Sequence, residues 1–116
     1  MLKIEKWRIQ ELARVLNQVS VLLLLGKNRE WAQVFSHFEQ ESQGFLNAPE
    51  FDLGQFQNLL RNIKICFSES YTFRNTSLAL EISEDQSGLQ QELEHAQARL
   101  LKVLDELAGR SVELIH

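Results

Sequence analysis

The sequence predicts an all-α protein, a bundle of four main helices, mostly antiparallel, with an irregular loop between the third and fourth. Three observations predict it. Apolar residues recur at three- and four-residue spacing in four separate stretches. Cap-forming residues and isolated glycines punctuate the chain between those stretches. The connections between those stretches are short, the longest lying between the third and fourth.

The first helix is predicted over residues 3–25. Ile9, Leu12, Leu16, Val19 and Leu23 form its stripe, and Val15 and Leu22 widen it. Beyond Val19 the sequence is apolar all round, so the last two turns are expected to be the most buried. Gly26 stands where a left-handed cap is wanted. Asn28 is the expected N-cap of a second helix over residues 29–43, with Trp31, Val34, Phe35, Phe38 and Phe45 along its stripe and Gly44 as terminator. Asn47 to Glu50 is turn chemistry in a capping-box arrangement that admits one helical turn.

Asp52 repeats the capping pattern and opens a third helix over residues 53–67. Phe56, Leu59, Leu60, Ile63 and Phe67 make one face, which Ile65 and Cys66 widen. Residues 68–77 have no helical period and read as a loop or a short extended piece, and residues 76–82 as one or two helical turns or a strand, the helix being preferred because a lone strand has no partner. Ser87 is the expected cap of a fourth helix over residues 89–108, with Leu89, Leu93, Ala96, Leu100, Val103, Leu104 and Leu107 inward and Gly109 closing it. No repeat and no sustained coiled-coil heptad occurs.

The 116 residues are predicted to form a single domain, 1–116. With 44% hydrophobic residues the chain is too apolar for a disordered one. One Cys allows no internal disulfide, which predicts a cytoplasmic protein. The apolar run 19–25 is too short to span a membrane and lacks the flanks of a signal peptide. A net charge of −4 argues against nucleic-acid and anionic-membrane partners.

That charge is the remainder of alternating blocks. Residues 1–29 carry six basic and two acidic side chains, and residues 30–58 five acidic and no basic ones. Residues 59–80 carry three basic and one acidic, and residues 81–108 seven acidic and two basic. In an up-and-down bundle every helix would then neighbour helices of opposite sign. Alternatively, the acidic segments, through Glu39, Glu41, Glu84 and Asp85, face a basic protein partner.

No constellation points to catalysis, and the chain is predicted not to be an enzyme. It has no Gly-rich phosphate loop and no Gly-x-Ser-x-Gly elbow. Glu92-x-x-His95 is half of a di-iron carboxylate motif, but Val34 stands where a second half would pair a Glu with His37. Glu92 and His95 are therefore expected on a solvated face, with neither metal nor other cofactor. Cys66 is expected to be a small core residue. Trp31 is expected in the core and Trp7 partly exposed, an interface anchor. Tyr71, Phe73 and Arg74 bring aromatics and a guanidinium to a loop, a composition favoured in binding sites.

Leu12-x-x-Val15-Leu16, Leu22-Leu23-Leu24-x-Gly26 and Trp31-Ala32-x-x-Phe35, followed by Leu59-Leu60 and Ser70-Tyr71-Thr72-Phe73-Arg74-Asn75, resemble a family of small all-helical bacterial proteins of unknown function that are immunity-protein-like. The glycines of that family's turn after the Leu-Leu pair are absent here. The resemblance implies a compact helical protein without catalytic residues, a neutraliser of a cognate toxin. It supplies no functional residue. The competing expectation is a homo-oligomeric helical scaffold or regulatory bundle, with Trp7 and the apolar tail at the contact between copies.

Overall fold

A computed structural model of the chain describes residues 4–66 and 87–115, with side chains to residue 110. Among these residues there are four helices: α1 (Lys6–Leu25), α2 (Arg29–Asn47), α3 (Leu53–Ile65) and α4 (Ser87–Ile115). There is no strand among the described residues. The segment over residues 68–82 and the fourth-helix cap region before Ser87 lie outside them.

The core follows the predicted stripes. Ile9, Leu12, Val15, Leu16, Val19, Leu22 and Leu23 of α1 are buried against Phe35 and Phe38 of α2, Phe56, Leu59, Leu60 and Ile63 of α3, and Leu93, Leu100 and Leu104 of α4. Trp31 is only partly buried and packs on the rim of this cluster, 6.3 Å from the Phe35 ring. Val34 and Ile65, placed on apolar faces by their spacing, are exposed. Each stands off the centre of its helix's stripe.

The end of α1 departs from expectation twice. Its last turns are not buried all round: Val21, Leu24 and Leu25 are exposed. The other helices cover only the inward face of α1, so an all-round apolar sequence leaves an apolar outer face. The left-handed residue is Lys27 (φ 67°), not Gly26 (φ −82°). The Asn28 amide donates to the Leu23 carbonyl at 2.8 Å and the Lys27 amide to that of Leu24 at 3.0 Å. This is the six-to-one and five-to-two pairing of a Schellman turn, with Lys27 in the position that usually holds glycine. Asn28 also opens α2, its side-chain oxygen accepting from the Trp31 amide at 3.4 Å. One residue thus closes one helix and starts the next, which forces a tight antiparallel reversal.

α2 runs through Gly44 to Asn47. Packing of Phe45 and Leu46 on the core offsets the roughly 1 kcal/mol that an internal glycine costs. The helix stops where Ala48 must precede Pro49, and Ala48 is extended (φ −71°, ψ 140°). No helical turn forms between Ala48 and Asp52. Asp52 caps α3 as expected, its carboxylate accepting from the Gln55 amide at 3.1 Å. α4 is longer than predicted at both ends, and Ser87 lies inside it. It passes through Gly109, and the next residue, Arg110, pairs with Glu5 at 3.0 Å.

Contacts far apart in sequence set the arrangement. Arg110 meets Glu5, and Arg99 donates to Gln18 at 3.5 Å, so α4 runs antiparallel to α1. The Ser20 hydroxyl donates to the Ala32 carbonyl at 2.8 Å across α1 and α2. Phe56 stacks edge-on to Phe45 with centroids 5.2 Å apart, and Lys64 pairs with Asp105 at 3.2 Å. Phe45 and Asp105 both lie level with the N-terminal half of α1. Short α3 therefore bridges from α2 to α4 over that half of the bundle. α1 packs mainly on α2 and α4, and α3 on the same two helices. Within the helices, α1 carries Lys6, Arg8 and Arg14 against Glu11, and α3 carries Arg61 and Lys64 alone. α2 and α4 are both net acidic, so main neighbours are of opposite sign.

Candidate functional site

A cleft of about 470 Å³ lies between the C-terminal half of α2, the Ala48–Asp52 connection and α3. Its position follows from two local rules already met. The proline at position 49 ends α2 and sends the chain outward, and the Asp52 cap turns it back into α3. The two helices diverge from that corner. Phe45 and Leu59 form the apolar floor, and Phe45, Phe51 and Phe56 lock the corner with centroids 5.2–6.0 Å apart.

The rim is polar and of one sign. Glu41, Glu50 and Asp52 supply three carboxylates, and Gln55, Asn58 and Asn62 supply amides. No Lys or Arg lines the cleft among the described residues. Asp52 gives one oxygen to the helix cap. Glu41 accepts from His37 Nε2 at 2.7 Å, one turn earlier on the same helix. The rim offers carboxylate acceptors that can pair with a cationic side chain, and amides that can both donate and accept hydrogen bonds.

The predicted candidates are distributed over the molecule. Glu41 lines the cleft, whereas Glu39 bonds Gln43 at 3.2 Å and borders a second concavity, also of about 470 Å³ and more polar, between α1 and α2, beside Gln10 and Arg14. Trp7 is exposed on the first turn of α1, with the Arg8 guanidinium 4.5 Å from its ring centroid. Tyr71, Phe73, Arg74, Glu84 and Asp85 lie outside the described residues. Glu92 and His95 are exposed on α4. Glu50, Asp52, Asn58 and Asn62 were not singled out as site residues by their sequence. Glu50 and Asp52 read as turn and cap chemistry. The signal that could have found them is the run of five acidic and no basic residues over 30–58.

Cys66 is buried, and its thiol donates to the Asn62 carbonyl at 3.5 Å. Burial pushes its pKa up, which disfavours the thiolate that nucleophilic chemistry uses. Among the described residues no three His, Cys, Asp or Glu side chains converge so as to hold a metal ion. None of the described helices is long and apolar enough to cross a membrane. Set against models of known families, curated proteins and solved structures, the chain matches none.

Proposed function

We propose that this chain is a non-catalytic protein-binding domain that receives a basic partner at the α2–α3 cleft, in the manner of an immunity-type inhibitor neutralising a cognate bacterial toxin in the cytoplasm. The observation that carries the reading is the rim of Glu41, Glu50 and Asp52 around an apolar floor, without a lining cation among the described residues. Binding would cover a functional surface of the partner, and opposite charge would raise the association rate and reject unsuitable partners. Such binding weakens with salt, because exposed charges are screened beyond about 8 Å at physiological ionic strength.

Co-expression with the toxin encoded beside it tests the reading. Rescue of growth, lost when Glu41→Gln, Glu50→Gln and Asp52→Asn are combined, is the expected result. Asp52→Asn keeps a good helix cap, so loss would reflect charge and not folding. Growth arrest unrelieved by the wild-type chain would contradict the reading. A homo-oligomeric bundle is the second reading, favoured by the exposed apolar side chains of α1.

A further inference from the structure

The concavity between α1 and α2 is polar where the cleft between α2 and α3 is acidic. Besides two apolar residues, it is lined by Gln10, Arg14 and Asn17 of α1 and by Glu39 and Gln43 of α2. It therefore offers one guanidinium, one carboxylate and three carboxamides. The helices that frame it are joined by the turn at Lys27 and Asn28 and by the Ser20 hydroxyl on the Ala32 carbonyl. That hydrogen bond also sets their register. Arg14 lies about 9 Å before Ser20 along α1, and Glu39 about 10.5 Å after Ala32 along α2. The helices are antiparallel, so the two opposite charges stand at one level on either side of the concavity. Yet they do not pair. Among the described residues, Glu39 accepts from Gln43 at 3.2 Å and from no cation, and Arg14 donates to no acceptor.

We infer that this concavity binds a small zwitterion of the α-amino-acid class, either a free amino acid or a short peptide with both termini free. The ligand's carboxylate takes the Arg14 guanidinium, whose planar fork matches it with two parallel hydrogen bonds. Its ammonium takes Glu39. Gln10, Asn17 and Gln43 each donate and accept, so they serve an amide of the ligand, in a glutamine side chain or in a peptide bond. The lining selects this class by exclusion. An anion without a positive group would meet Glu39, and a cation without a negative group would meet Arg14. An apolar molecule would strip water from both charges and return no hydrogen bond. The volume, about 470 Å³, falls within the roughly 300–1,000 Å³ of small-molecule sites. Arg14 is exposed, and water screens such a pair, so binding is weak, with a dissociation constant on the order of 1 mM. This inference does not depend on the cleft between α2 and α3.

Titration of the isotope-labelled full chain, followed by NMR at its backbone amides, tests it. The probes are L-glutamine and, separately, glycyl-L-glutamine. Saturable shifts over residues 10–17 and 39–46 are expected from at least one of them, and the tighter of the two identifies the source. N-acetyl-L-glutamine lacks the ammonium, and L-glutamine amide lacks the carboxylate. Each should bind ~10-fold or more weakly than L-glutamine, because a hydrogen-bonded charge is lost. Arg14→Gln and Glu39→Gln, neither of them at a buried position, should each weaken binding by a similar factor while circular dichroism stays unchanged. Absence of saturable shifts from both probes would overturn the inference. So would shifts centred on the α2–α3 cleft, equal binding of either blocked form, or either variant binding like the wild type.

Discussion

Arg110 near the end of α4 donates to the carboxylate of Glu5, the residue that precedes α1, at 3.0 Å. Glu5 also takes the Arg8 guanidinium at 2.6 Å. The Arg8 hydrogen bond, with the Arg110 charge adding to it, holds the Glu5 carboxyl below its ordinary pKa. A carboxyl depressed in the folded state contributes stability that is present above its unfolded pKa and lost as pH falls through the folded value. The wild-type chain should therefore melt above Glu5→Gln at neutral pH. The gap should close as pH drops below about 4. A gap that is constant with pH would show that the pair does not couple folding to protonation. Melting curves from pH 7 to 3 read it directly.

Lys27 holds a left-handed conformation that costs a side-chain-bearing residue about 1–2 kcal/mol. Lys27→Gly removes that strain and adds backbone entropy to the unfolded chain. The expected net is a gain of about 0.5–1 kcal/mol, seen as a higher urea midpoint at unchanged slope. Gly26→Ala tests the same assignment from the other side. It should leave no left-handed strain, because Gly26 has negative φ.

Phe56 is fully buried and joins Phe45 and Phe51 at the corner from which α2 and α3 diverge. Phe56→Ala should cost about 3–5 kcal/mol by chemical denaturation. Phe51→Ala, at a partly buried position, should cost less. Equal costs would mean that the corner is not organised around Phe56.

Cys66 should react with a thiol reagent only on unfolding, because it is buried and its thiolate is disfavoured. In native buffer the thiol count should be near zero, rising to one per chain in denaturant. Fast native labelling would show that the α3 terminus opens.

Four helices and nearly all of their inward residues were legible, because spacing reports directly which side chains share a face. Asn28 and Asp52 declared the starts of α2 and α3 for the same local reason: a side-chain acceptor can reach the amide three residues on. Helix ends were less legible. Gly44 and Gly109 carry no left-handed turn, and the helices run past them, α2 with Phe45 packed on the core and α4 with Arg110 paired to Glu5. The outer face of α1 was misjudged because periodicity says nothing about how many neighbours a helix will have. Charge blocks anticipated the opposite-signed neighbours, yet not the pairs themselves: Lys64–Asp105 follows the block signs, whereas Glu5–Arg110 runs against them. Of the cleft, Glu41 was singled out from its acidic block, and it lines the rim. Asn58 and Asn62 were not, since only the angle between α2 and α3 brings them opposite it.

Binding of a basic protein at the acidic rim of the α2–α3 cleft is the proposal on which the functional reading rests. Its most direct measurement is affinity capture from the source cell with the wild-type chain and with the combined Glu41→Gln, Glu50→Gln, Asp52→Asn variant, at low and high salt, followed by mass spectrometry. One basic protein should be retained by the wild type at low salt and lost both in the variant and at high salt. A partner held equally by the variant, or one insensitive to salt, would contradict it.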